Sequence, residues 1–137
     1  MKNRKRGLFP SKSLLRRIVK PRKHKRYFVN SAAFVVIGPY TTTGRKVQIL
    51  DISEGGAAFI YSGSKNELEE SGYLSLLAGD TPYLDRVDFV TASDKDWSVK
   101  PGNAVQLRRR GVQFRWLGVM DQRRLKEFIQ ETAIVPT

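Results

Sequence analysis

The sequence predicts an all-β fold: a small antiparallel β-barrel of about six strands, with a C-terminal α-helix and a flexible basic N-terminal arm. Three observations predict it. Short runs of aromatic and β-branched residues recur, with Gly, Pro, Asn, Asp and Ser between them. Near the C-terminus the apolar spacing changes from two to three and four. The charge is lopsided: residues 1–26 hold 12 of the 25 Lys and Arg and none of the 13 Asp and Glu, so the net charge of +12 resides in one end of an otherwise neutral chain.

The elements follow in order. Residues 1–13 mix basic residues with Gly7, Pro10 and two serines and read as flexible. Leu14, Leu15, Ile18 and Val19 have helical spacing, and Pro21 ends any such turn by pushing the preceding residue out of the helical region. Residues 1–21 are therefore the arm, and 22–137 the folded domain. A first strand is predicted over 27–37, closed by Gly38-Pro39, and Thr43-Gly44 is a turn. Further strands are predicted over 46–52, 56–61, 73–77 and 83–92. Ser64-Lys65-Asn66-Glu67 has capping-box form and predicts a short helical turn. Residues 93–102 are polar and read as a loop or wide hairpin connection; 104–107 and 111–116 are the last two strand pieces. Leu125, Phe128, Ile129 and Thr132 then form one apolar helix face, with Asp121 placed to cap.

Composition narrows the function. A chain of 137 residues fits one domain with a core of its own. It has no Cys and one His, so disulfides, thiolate metal sites and multi-His metal sites are excluded. No apolar run approaches the roughly 18 residues of a membrane span, and no continuous apolar stretch follows the basic N-terminus as in a secretory signal. Phosphate loops of the Gly-x-x-x-x-Gly-Lys type and His-supported nucleophiles are missing, which favours a binding module over an enzyme. Glu69-Glu70, Asp94 and Asp96 read as solvated surface.

Two motifs carry the chemistry. Arg22-Lys23-His24-Lys25-Arg26 is an Arg-x-x-x-Arg, and no other two arginines of the chain are four apart. Asp51-Ile52-Ser53-Glu54-Gly55-Gly56 is an Asp-x-Ser-x-x-Gly. Arg is the natural bidentate partner of phosphate and of guanine O6 and N7, and a carboxylate accepts from guanine's other edge. Strand alternation predicts that Val47, Ile49, Asp51 and Ser53 point together. Gly55 and Gly56 remove side chains beside them, allowing a positive-φ turn and close approach of a planar ring. Read without Arg22 and Arg26, the second motif is an ordinary turn in which Asp and Ser bond the backbone.

Together the motifs resemble the PilZ domain, the bacterial receptor module for cyclic di-GMP. The resemblance covers residues 22–130 and includes Arg110-Gly111-Val112-Gln113-Phe114 followed by Leu125-Lys126-Glu127-Phe128-Ile129, similar to that family's Gly-Val-x-Phe strand and closing helix. It implies that Arg22 and Arg26 meet the phosphates and a guanine, that Asp51 and Ser53 meet guanine, and that Gly56 shapes the turn. Arg17 and Lys20 are outer contacts, Gly55 adds room, and Trp116, like Trp97, reads as barrel core, with stacking on a base as the alternative. His24 is a spacer. Arg108-Arg109-Arg110 is an exposed basic cluster that can enlarge the anion site.

The implied function is a cyclic di-GMP receptor without cofactor or metal. It signals to a protein effector from the bacterial cytoplasm by ordering its arm around the ligand. The competing reading is a nucleic-acid-binding barrel with a basic arm, against which stands the neutral domain body.

Overall fold

A computed structural model of the chain describes residues 24–37, 45–64, 68–97 and 106–137. The arm with Arg17, Lys20 and Arg22 lies outside the described residues, as do the predicted turn at Thr43-Gly44 and most of the predicted capping-box turn.

Eight strands and one helix follow in the order β1 (Tyr27–Val29), β2 (Ala33–Ile37), β3 (Arg45–Ser53), β4 (Gly56–Ser62), β5 (Ser71–Ala78), β6 (Thr81–Asp96), β7 (Leu107–Arg115), α1 (Val119–Thr132) and β8 (Ala133–Pro136). All pairings are antiparallel. The sheet runs β2-β5-β6-β7-β4-β3-β1-β8, and a β2–β3 pairing closes its first six strands into a barrel. The long β3 is shared: Arg45 to Gln48 pair with β2, and Asp51 and Ile52 pair with β1. The predicted six-stranded barrel with a C-terminal helix is therefore what forms, with β1 and β8 added as a flap.

The interior is filled by inward residues of all six strands, among them Val35, Ile49, Phe59, Leu74, Val87 and Val112. Each fully buried Leu, Val or Phe stabilises the fold by about 1.5–3 kcal/mol. α1 lays Leu125, Phe128 and Ile129 against this core, as its spacing predicts. The Phe128 ring meets Tyr83 edge-on with centroids 5.5 Å apart, and Arg124 donates from Nε to the Tyr83 carbonyl at 2.5 Å. The helix is thereby fastened to the start of β6.

Local expectations change at five places. The predicted strand 27–37 is split, because Asn30 makes a side-chain turn: its Oδ1 accepts from the Ala32 N–H at 2.9 Å, while its own N–H donates to the Thr132 carbonyl at 2.8 Å. β6 runs on through Asp96, so residues 93–96 are strand and not loop. Of the predicted piece 104–107, residues 104 and 105 lie outside the described residues and only Leu107 is strand; β7 runs unbroken from there through all three arginines to Arg115. Asp121 does not cap α1: the N-cap is Gly118, and Asp121 sits in the first turn, where its charge favours the helix N-terminus. Finally, the chain leaves α1 in extended form at Ala133 and adds β8 alongside β1.

Candidate functional site

A bulge at Leu50 decides where the Asp-x-Ser motif points. Ile49 pairs with Phe59, but Asp51 pairs with the very next residue, Ala58. One extra residue in β3 flips the alternation. Val47 and Ile49 face the core before the bulge, and Ile52 with its partner Ala57 faces it after. Asp51 and Ser53 share a face as predicted, but it is the outer one, opposite that of Val47 and Ile49. Without the bulge the carboxylate would enter an apolar barrel.

The outer face is shaped by small residues. Ala58 lies beside Gly111 of β7, which in turn lies beside Ser93 of β6. A Cβ on Gly111 would stand 3.0 Å from Ser93 Oγ, and one on Gly56 would strike the Val112 carbonyl oxygen at 2.1 Å. A Cβ on Gly55 would meet the His24 ring at 2.7 Å. Neither Gly55 nor Gly56 has a positive φ. The expectation of a positive-φ turn is thus replaced by close approach: Gly56 lets β4 and β7 lie tightly together, and Gly55 seats His24. Ser53 serves this turn, its Oγ accepting from the Gly55 N–H at 3.1 Å and donating to the Gly56 carbonyl at 3.5 Å.

Above this floor is an open cavity of about 440 Å³, within the usual range for small-ligand sites. Arg26, Asp51, Ser53, Gly55 and Gly56 all line it. So do His24, read from the sequence as a spacer, and Gln113 and Arg109. Arg109 Nη2 lies 3.5 Å from Asp51 Oδ2, and its guanidinium is 5.9 Å from the centre of the Trp97 ring. Trp116 is not among the lining residues. It follows β7 with φ 59°, is 80% exposed, and has Arg115 over its ring, at 5.8 Å. The core reading of Trp116 is overturned, because a left-handed backbone turns its ring outward.

The three arginines divide by strand alternation. Arg109 faces the cavity, while Arg108 and Arg110 turn to the other side of β7, toward Asp94. Arg110 is fully buried and donates from Nε to Asp94 Oδ2 at 2.7 Å, and from Nη1 to Thr91 Oγ1 and the Glu69 carbonyl, each at 2.6 Å. Arg108 Nε donates to Asp94 Oδ1 at 2.5 Å, and the Tyr61 hydroxyl to Oδ2 at 2.6 Å. Burial pushes the Asp94 carboxyl up, but the donors Tyr61, Arg108 and Arg110 outweigh it and hold the group below its ordinary value. Tyr61 is shifted up by burial and by its bond to Asp94. The exposed-cluster reading is therefore corrected for Arg108 and Arg110, and the solvated-surface reading for Asp94. Each polar side chain in this group answers another across β4, β6 and β7, so none is free for a ligand.

The cavity thus joins guanidinium donors, one carboxylate acceptor and a floor that includes the small residues Ala58, Gly111 and Ser93. That set suits a planar, anionic ligand with a donor edge. Among the described residues no three His, Cys, Asp or Glu come together to hold a metal, and no helix is long and apolar enough to cross a membrane.

No protein-family model and no curated protein matches this sequence. Solved structures do match. The PilZ domain of YcgR from Escherichia coli with c-di-GMP is similar at TM-score 0.62 and 16% identity, over 82% of this chain and 91% of that one. The K. pneumonia MrkH-c-di-GMP complex is similar at TM-score 0.61 and 18% identity, over 82% of this chain and 52% of that one. The Bacillus subtilis inhibitor of motility MotI/DgrA follows at TM-score 0.51 and 16% identity, over 82% of this chain and 52% of that one. The chain spans about half the length of MrkH and nearly all of the YcgR PilZ domain. Its barrel is PilZ-like.

Proposed function

We propose that the chain is a receptor for cyclic di-GMP that acts by binding, without a chemical step of its own. The observation that carries this reading is the convergence of Arg26, Asp51, Ser53, Gly55 and Gly56 on one outer-face cavity. These residues come from two motifs about 25 residues apart, and a PilZ-like barrel is what brings them together. Support also comes from the c-di-GMP held by the similar PilZ domain of YcgR and by MrkH.

In this reading Arg22 and Arg26 engage the phosphates and the O6/N7 edge of a guanine, and Asp51 accepts from the opposite edge. Ser53 and Gly56 keep the turn low, so that a ring can lie against it. Arg17 and Lys20 add outer attraction. The basic arm closes on the ligand, its positive charge is neutralised, and the altered surface engages or releases a protein effector in the bacterial cytoplasm. Ordering the arm consumes part of the binding energy, so affinity depends on how far the arm is preorganised.

Backbone amide resonances followed during titration with cyclic di-GMP test the assignment. The account expects shifts concentrated at His24, Arg26, Asp51, Ser53, Gly55 and Gly111, with α1 and β8 quiet. Shifts scattered over the basic residues without a focus on this face would contradict it.

A further inference from the structure

The Asp51–Arg109 pair lies outside both sequence motifs as a pair, and its geometry has a consequence for what the cavity accepts. Arg109 Nη2 stands 3.5 Å from Asp51 Oδ2, a long contact for a charge-assisted bond, and the Arg109 side chain keeps 24% of its surface exposed where that of Asp51 keeps 8%. The guanidinium is thus loosely held by the carboxylate and open to the cavity. Its backbone is the opposite. Arg108 and Arg110 on either side are both bonded to Asp94, and Arg110 is fully buried. A cation that is itself loosely paired, carried on a strand pinned on both sides, is a preorganised donor.

Building on the receptor reading, we infer that Arg109 is a further ligand-binding residue of this cavity, and that the Asp51–Arg109 pair is exchanged for the ligand. A ligand with both an N–H donor edge and an anionic group replaces one long ion pair by two charge-assisted contacts, and leaves neither charge unpartnered. A ligand with only the donor edge takes Asp51 and strands Arg109. One with only the anion takes Arg109 and strands Asp51 in a largely buried position, which is costly. The pair therefore selects for a guanine nucleotide over guanine or phosphate alone.

The test is calorimetric titration of cyclic di-GMP into the full chain, Arg109→Ala, Arg109→Gln and Arg26→Ala, at low and high salt. Arg109→Gln keeps most of the stem and its hydrogen bonding, so it serves if Arg109→Ala folds poorly. The inference expects both Arg109 variants to bind at least about tenfold more weakly, as loss of a charge-assisted contact in a partly desolvated site does. It also expects their affinity to depend less on salt than that of the unaltered chain. If Arg26→Ala weakens binding while the Arg109 variants bind as well as the unaltered chain or tighter, Arg109 merely competes for Asp51 and this inference alone is overturned. If the unaltered chain does not bind cyclic di-GMP, the receptor reading falls and the inference with it.

Discussion

Asp94 Oδ2 lies 2.7 Å from Nε of Arg110, whose side chain is 1% exposed. That bond ties β6 to β7, and the same guanidinium reaches the carbonyls of Leu68 and Glu69 ahead of β5. The group is remote from α1, which fastens to the start of β6, while Asp94 is near its end.

Asp94→Ala should therefore destabilise the domain by about 3–5 kcal/mol, the cost of leaving a buried charge without its partner. The effect is pH-dependent, with a definite sign. The folded carboxyl lies below its ordinary value of 3.8, so the folded state binds fewer protons than the unfolded one in that range. The stability it contributes is fully present above the ordinary value and is lost as the pH falls through the lower folded one. Urea unfolding of the unaltered chain and of Asp94→Asn over a pH series checks both points. An Asp94→Asn curve parallel to the unaltered one through the acid range would show that Asp94 does not supply this slope.

Gly55→Ala and Gly56→Ala should separate strongly in stability. At Gly56 the added carbon strikes a backbone carbonyl at 2.1 Å, and β4 and β7 must move apart; the cost should reach or exceed the roughly 1–3 kcal/mol usual for overpacking. At Gly55 its nearest neighbours are atoms of the His24 ring, a side chain that can swing aside. Thermal melts of the two variants decide this, and equal melting temperatures would refute the close-approach role assigned to Gly56.

The barrel and its closing helix were legible in the sequence because they rest on local signals. Turn residues punctuate the strands, and Leu125, Phe128, Ile129 and Thr132 are all buried as their spacing predicts. The pairing of Asp51 with Ser53 on one face was legible too, since two residues apart is two residues apart in any strand. What escaped is set by partners far along the chain. The Leu50 bulge, which turns that face outward, depends on how β3 pairs with β4 and β1. The burial of Arg110 depends on Asp94, 16 residues away on another strand. The split at Asn30 depends in part on the end of α1. One clue to Arg109 was present: in any strand, three consecutive arginines must send the middle one to the opposite face from its neighbours.

Arg22→Ala and Arg26→Ala should each weaken cyclic di-GMP binding by on the order of 2–4 kcal/mol, as charge-assisted contacts in a partly desolvated site do. Arg26→Ala should leave the unliganded melting temperature almost unchanged, because this side chain is exposed and outside the core. Asp51→Ala should weaken binding as well. Ser53→Ala should do so with some loss of stability, since its hydroxyl bonds the turn. Binding assays and melts on the same four variants separate the two roles. Unaltered affinity in both arginine variants would remove the first motif from the site.

The central claim is recognition of guanine in a cyclic dinucleotide, and calorimetric titration with cyclic di-GMP against cyclic di-AMP tests it most directly, with short single-stranded RNA as a third arm. The two dinucleotides carry the same phosphates, but adenine places a donor at the six position where guanine has an acceptor, and so turns a donor toward the arginine fork. The account predicts saturable binding of cyclic di-GMP, with much weaker binding of cyclic di-AMP and of the RNA. Equal affinity for the two dinucleotides, or tighter binding of the RNA, would contradict it and leave a general anion-binding surface in its place.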